Sequence, residues 1–182
     1  MDAGRLTAAS GALWNSLKAL DTTATTDALR GIEGEAAAQY FSVFDDLILQ
    51  QKNSFYFRGR NRRPPTDNVN ALLSFVYVLL ARECASALES VGLDPYVGFL
   101  HTARPGRASL AMDLLEELRA PVADRFVLGL INLRQVSDKG FERQDSGAVY
   151  LTDAQRKVVL TARQAHKQEV ITHPYLGEKV EW

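Results

Sequence analysis

The sequence predicts an all-α domain. Its hydrophobic periodicity is overwhelmingly helical, proline and glycine gather in a few connectors between periodic stretches, and no internal repeat or low-complexity tract interrupts the pattern. With 182 residues, 46% of them hydrophobic, the chain can bury a substantial core. Residues 1–25 read as an N-terminal helix and a Thr-rich linker, and residues 26–182 as the main helical domain.

The elements follow in order. "GRLTAASGALWNSLKAL" forms the first helix, before the loose "DTTATT". A second helix starts near Thr26 or Asp27, because Leu29, Ile32, Ala36, Tyr40, Val43 and Leu47 recur at spacings of three and four, and it runs to about Leu49. "QQKNSFYFRGRNRRPPTD" is a loop closed by a double proline that no helix interior accepts. Thr66 or Asp67 then caps "NVNALLSFVYVLLARECASALESV", apolar on nearly all sides and therefore the central buried helix, ending before Gly92. "LDPYVGFLHTARPGR" is a connector. Ser109 caps a short helix through about Arg119, and Pro121 is placed to begin the next, which carries Phe126, Leu128, Leu130, Ile131 and Leu133. "SDKGFERQDSGAVYL" reads as irregular and exposed. Thr152 and Gln155 form a T-x-x-Q capping box for a helix to about Ile171, beyond which the pattern is unreadable.

A formal charge of -1 gives no global sign of nucleic-acid binding, so such a role rests on local clusters. The single cysteine, Cys84, excludes an internal disulfide framework and a thiolate zinc cage, suits a reducing cytoplasm, and reads as a small buried hydrophobe. The longest apolar run, around "ALLSFVYVLLA", is shorter than a bilayer span.

Some charged residues sit oddly in these patterns. Glu35 belongs to the solvated face of the second helix with Gln39, Ser42 and Asp46. Glu33 instead aligns with Ala37, Tyr40, Phe44 and Ile48, a flank where an ionised carboxylate loses hydration with no cation on its own face. Gly31 and Gly34 flank it and suggest a close approach to the backbone. Snorkelling to water, or pairing with an arginine from elsewhere, explains Glu33 equally well. On the helix after Ser109, Leu110, Ala111, Leu114, Leu115 and Leu118 make the buried stripe, while Asp113, Glu116 and Glu117 share the other side. This is an ordinary solvated face, except that three like charges so spaced repel unless a cation lies among them. His101, just upstream, has no compact metal-motif spacing to them. Arg58, Arg60, Arg62 and Arg63 follow Phe55, Tyr56 and Phe57, a composition suited to gripping phosphates and stacking on unpaired bases, or simply to solubility. Arg104 and Arg107 add two donors near His101.

Four stretches, "RGIEGEAAAQYF", "RGRNRRPPTDNVNALLSFVYVLL", "GFLHTARPGRASLAMDLLEELRAPVADR" and "YLTDAQRKVVL", together resemble the CRISPR-associated Cas1 family, the integrase and endonuclease of spacer acquisition. The spelling most resembles the subtype I-C branch, and the likeness runs from about residue 6 through nearly the whole chain. The resemblance implies the family's helical, catalytic C-terminal domain, without the β-rich N-terminal domain that builds the homodimer and meets the small partner Cas2, and it implies an excised or incomplete copy. It also implies a Mn2+ or Mg2+ ion held by Glu33, His101 and Glu116, with Asp113 as a supporting acidic position and the nearest alternative to Glu116 as direct ligand. The substrates implied are DNA: the protospacer and the CRISPR repeat and leader, gripped by Arg58, Arg60, Arg62, Arg63, Arg104 and Arg107. The competing expectations are a non-catalytic helical DNA-binding or assembly module, and a metallohydrolase acting on a small phosphorylated substrate, against which the extended basic surface argues.

Overall fold

The computed structural model describes residues 3–23, 25–102, 104–172 and 177–181. It is mostly helical, as expected, with two small two-stranded sheets that the periodicity did not reveal.

Helix α1 (Ala3–Leu20) packs against α2 (Thr26–Ser42). The Thr25 side chain caps α2 by accepting from the Ala28 amide at 3.3 Å. No residue of α2 is fully buried; it meets the core only through Tyr40 and Phe41. The helix stops at Ser42, not at Leu49, and the chain tightens into a 3-10 turn over Phe44–Leu47. Tertiary demands override the helical periodicity here. Phe44 and Ile48 are fully buried, and the Asp45 carboxylate, exposed by the turn, accepts from the Phe57 amide at 2.7 Å and so ties down the following loop.

Helix α3 (Asn68–Ser90) is the spine of the core, capped by Asp67, whose Oδ1 accepts from the Asn70 amide at 2.8 Å. Its length and composition alone would let it pass for a membrane span, as those of many core helices do, and here it packs against α4, α5 and β2. Buried Asn70 staples the arginine loop onto it, its Oδ1 accepting from Arg60 at 2.7 Å and its Nδ2 donating to the Gly59 carbonyl at 2.9 Å.

Helix α4 (Ser109–Leu118) leads through a π-helical turn (Arg119–Asp124) into α5 (Arg125–Asn132) without a break. Pro121 therefore begins no new helix. The wider turn absorbs its missing N–H and ring, as π-bulges do, and keeps Val122, Ala123 and Asp124 buried. Nor does Ser109 cap α4. It is the first helical residue, fully buried, and its hydroxyl donates to the Thr102 carbonyl at 3.3 Å.

The stretch read as irregular holds a hairpin, β1 (Phe141–Arg143) antiparallel to β2 (Val149–Leu151). Val149 and Leu151 are buried and Tyr150 is exposed, and the Val149 amide donates to the Pro65 carbonyl at 2.8 Å, locking the hairpin to the arginine loop. Helix α6 (Asp153–Lys167) starts with half of the expected capping box: Thr152 accepts from the Gln155 amide at 3.1 Å. The return bond is missing because the Thr152 amide already donates to the Gly140 carbonyl at 3.0 Å. α6 ends at Lys167, short of Ile171, and the chain turns extended as β3 (Val170–Thr172), antiparallel to β4 (Lys179–Glu181). Residues 173–176, part of the stretch the pattern left unread, lie outside the described residues.

Candidate active site

The segment 98–101 is pinned to the start of α4 by one carboxylate. Asp113 Oδ2 accepts from the amides of Phe99 at 2.6 Å and Leu100 at 3.1 Å, and its Oδ1 from the amide of His101 at 2.9 Å. The His101 ring completes the fan, with Nδ1 2.7 Å from Asp113 Oδ1. Burial alone would raise the Asp113 carboxyl, but the bonds from His101, Phe99 and Leu100 outweigh it and hold the group below its ordinary value. So close an approach requires glycine at position 98, where a Cβ would stand 2.7 Å from Ser109 Cβ and 3.0 Å from Asp113 Oδ2.

With Nδ1 engaged by a carboxylate, the neutral His101 ring carries its proton there and leaves Nε2 as a free electron pair, the arrangement in which protein histidines ligate metals. His101 opens onto a cleft of about 410 Å³ whose walls also include Glu116, Arg60, Arg107, Arg119 and Tyr77. Glu116, one turn after Asp113, ion-pairs with Arg119. Asp113, with both oxygens occupied, orients His101; Glu116 is the acidic residue of α4 that faces the cleft.

Glu33 lies elsewhere. It is exposed on α2 and borders an apolar groove of about 500 Å³ with Leu17, Leu29, Ile32 and Leu100. The expected loss of hydration on an apolar flank is thus overturned, and an added Cβ at Gly31 or Gly34 meets nothing within 4 Å, so nothing approaches the backbone there. The turn before Glu33 is nevertheless docked beside the histidine, since Arg30 Nε and Nη2 donate to the Leu100 carbonyl at 2.8 and 2.6 Å. Among the described residues no three His, Cys, Asp or Glu side chains converge as a metal cage. The structure pairs His101 with Asp113 and lets His101 and Glu116 line one cleft, while Glu33 borders a different groove together with Leu100.

The basic residues divide in the same way. Arg62 and Arg63 are exposed, line the cleft and continue into a neighbouring groove that reaches Tyr150 and Arg156. Arg107 lines the cleft and donates to the Thr102 carbonyl. Arg58 is exposed over the Tyr56 ring, 5.2 Å from its centroid, and Arg104 is exposed. Phe55 and Phe57 are buried at 0% and 5% exposure, so of the three aromatics read as stacking platforms only Tyr56 is open to a base.

Sequence reasoning missed a second tier beneath the cleft. Asp124, fully buried, accepts from the Tyr77 hydroxyl at 2.5 Å, and the Tyr40 hydroxyl faces the same carboxylate. Burial pushes the Asp124 carboxyl above its ordinary value, against the pull of Tyr77, Tyr40 and the neighbouring arginines. The available signal was a lone acid within "APVADRFVLGLI", where a side chain on the apolar stripe has to be partnered.

The family model described as CRISPR associated protein Cas1 matches residues 2–165. The chain belongs to the Cas1 family. It is 51% identical over 179 residues to CRISPR-associated endonuclease Cas1 1 of Chlorobaculum tepidum, covering 98% of this chain and 52% of that protein. It is 59% identical over 152 residues to CRISPR-associated endonuclease Cas1 2 of Rhodospirillum rubrum, covering 84% and 44%. The chain thus spans about half the length of these curated relatives. Among solved structures, a Cas1 protein from Thermotoga maritima matches with a TM-score of 0.78 at 31% identity, over 86% of this chain and 50% of that one. A casposase bound to its integration product matches with a TM-score of 0.80 at 29% identity, over 93% and 49%. A partial Cas6-RT-Cas1–Cas2 complex matches with a TM-score of 0.71 at 26% identity, over 86% and 49%.

Proposed function

We propose that this chain is the catalytic helical domain of a metal-dependent DNA endonuclease and integrase of CRISPR adaptation. The observation that carries the reading is the Asp113–His101 pair, an imidazole anchored through one nitrogen, sharing a cleft with Glu116 and several arginines. Such a cleft is suited to phosphodiesters: the guanidiniums grip phosphate oxygens in bidentate fashion and contribute affinity without reading sequence. His101 Nε2 and Glu116 would hold Mn2+ or Mg2+, and Glu33 would complete the set. α2 buries no residue fully and is held near His101 by Arg30, so drawing Glu33 inward costs little packing. When bound, the ion supplies Lewis-acid stabilisation of charge on the scissile phosphate. Asp113 fixes the tautomer and the ring plane of His101; Arg60, Arg107 and Arg119 hold the strand; Arg62 and Arg63 extend the basic surface along it.

The partners that follow are protospacer and CRISPR repeat or leader DNA, Cas2, and a second copy of the full-length protein. A Cas1–Cas2 complex and a casposase bound to its integration product among the structural neighbours support the DNA and Cas2 partners. The open arrangement of Glu33 favours one other reading, a helical DNA-binding module without catalysis. Incubating branched and single-stranded DNA with manganese and the wild type, His101→Ala or Glu33→Ala separates the two. Nicking by the wild type alone supports catalysis at this site; equal nicking by all three removes the assignment. Charge reversal at Arg60 and Arg63 is expected to weaken DNA binding and to flatten its salt slope by about one for each phosphate no longer neutralised. Unchanged retention on DNA would count against the loop.

A further inference from the structure

The buried tier under the cleft has a geometry that the proposed chemistry leaves unexplained. Two guanidiniums lie over one aromatic ring: Arg60 is 5.1 Å and Arg119 5.4 Å from the Tyr77 centroid. Two like charges so close repel, and Arg60 is also partly desolvated, which lowers its basicity. Their convergence therefore has to be built, and the parts that build it are visible. Arg60 is fixed from the side by Asn70 Oδ1 at 2.7 Å and Ser74 Oγ at 3.2 Å. Arg119 is held through Glu116, and its buried Nε has no hydrogen-bond partner among the described residues. The ring offers both cations its negative face. Tyr77 is itself locked by donating its hydroxyl to Asp124, which lies fully buried behind it.

Resting on the nuclease reading above, we propose that Tyr77, backed by Asp124, is a positioning residue that sets Arg60 and Arg119 as a paired clamp for the phosphodiester beside His101 and Glu116. The clamp suits an anion because a phosphate in the cleft adds negative charge beside both cations, whose mutual repulsion the Glu116 and Asp124 carboxylates only partly offset. Tyr77 acts through its ring. Its hydroxyl points away from the cleft into the core, and burial and the Asp124 charge keep the phenol protonated far above its ordinary range. It is no nucleophile, and the strand would never become linked to it. Asp124 anchors the phenolic oxygen and so holds the ring in place beside both guanidiniums.

The test is a double-mutant cycle on single-turnover DNA nicking at saturating manganese and DNA, using Tyr77→Leu, Tyr77→Phe and Arg119→Ala. Tyr77→Leu is expected to slow nicking roughly a hundredfold, as an ångström-scale misplacement of a clamp does, and Tyr77→Phe, which keeps the ring faces, to recover most of that. The Tyr77→Leu and Arg119→Ala double variant is expected to be slower than Arg119→Ala by much less than the roughly hundredfold that Tyr77→Leu costs in the wild type, because the part of the ring's contribution that runs through Arg119 is already lost and only the part through Arg60 remains. A purely structural tyrosine would multiply its defect with that of Arg119→Ala, and that outcome overturns the proposal. If Tyr77→Leu does not fold, as judged by its unfolding midpoint, Asp124→Asn replaces it in the same cycle with the same criterion. His101→Ala runs alongside. Full nicking by that variant overturns the active-site reading itself, whereas a dead His101→Ala with multiplicative Tyr77 and Arg119 effects overturns only the clamp.

Discussion

Replacing Gly98 with alanine tests whether the Asp113 fan is what builds the site. The new Cβ would lie 2.7 Å from Ser109 Cβ, 2.8 Å from the Ser109 carbonyl carbon and 3.0 Å from Asp113 Oδ2, whereas ordinary contact begins at 3.4 Å. Ser109 is fully buried and one of the clashing atoms is backbone, so the 98–101 segment has to retreat by about 0.7 Å. That displacement stretches the Leu100 bond from 3.1 to about 3.8 Å, beyond hydrogen-bonding range, and weakens those of Phe99 and His101. Overpacking costs about 1–3 kcal/mol and a broken bond to a carboxylate about 1.5–3 kcal/mol, but Phe99 is 82% exposed and water replaces part of the missing interaction. A net destabilisation of about 2–4 kcal/mol follows, or a fall in Tm of roughly 5–12 °C for a domain of this size. Nicking should fall further than stability explains, because His101 moves with the segment. Gly34→Ala is the matched comparison: nothing stands within 4 Å of its Cβ, so it should stabilise α2 by about 0.4–1 kcal/mol and leave nicking intact. Differential scanning fluorimetry and a manganese-dependent nicking assay at a temperature where both variants are folded read the two effects. A Gly98→Ala protein with wild-type Tm and rate would refute the argument.

Three further outcomes are expected. Asp113→Asn keeps the shape but replaces the carboxylate behind the imidazole, so half-maximal nicking should need about 10–100 times more manganese while heparin retention stays unchanged; an unshifted manganese titration would remove Asp113 as the orienting group. Burial, helped by Glu83, pushes the Cys84 thiol up to about 11, so a disulfide reagent near pH 8 should react with it far more slowly in the native protein than in guanidinium; equal rates would show that the core around α3 is open. The raised Asp124 carboxyl contributes stability that is present below its unfolded value of about 3.9 and is lost as pH rises through the folded value. Urea midpoints of wild type and Asp124→Asn should therefore shift in favour of the variant between acid and neutral pH, and a difference independent of pH would mean the carboxyl is not perturbed.

Long, strongly patterned helices were legible because burial and period coincide. α3 could be bounded from Asp67 and Gly92, and α2 from Thr26, since each start has a capping side chain and α3 a run too apolar to sit outside. The failures share a cause: a tertiary partner replaced the local rule. Phe44 continues the helical spacing of α2, yet its burial is reached by a 3-10 turn that frees Asp45 to hold Phe57. The hairpin Phe141–Leu151 has strands of three residues, too short to display alternation, and is held by the Pro65 carbonyl from far along the chain. Gln155 spells a capping box, but Gly140 takes the amide that the box would use.

The site followed the same logic. Asp113 and Glu116 stand one turn apart and spell the same chemistry, and only the fold assigns them different tasks, because the amides of residues 99 to 101 arrive at Asp113 and leave Glu116 to the cleft. Asp124 was invisible as a functional residue because its meaning lies in Tyr77 and Tyr40, on two other helices. Glu33 shows the converse limit. A face drawn on a helical wheel assumes that the apolar side is covered, but α2 lies between α1 and the core with no residue fully buried, so its carboxylate reaches solvent and no desolvation marks it. What ties Glu33 to the histidine is the pair of bonds from Arg30 to the Leu100 carbonyl, an interaction between one side chain and one backbone oxygen that no residue pattern encodes. In the proposed metal site, Glu33 can join His101 only if α2 and the 98–101 segment come together, and their separation is set by the Arg30–Leu100 contact and by the packing of α1 on α2 rather than by the ligands themselves.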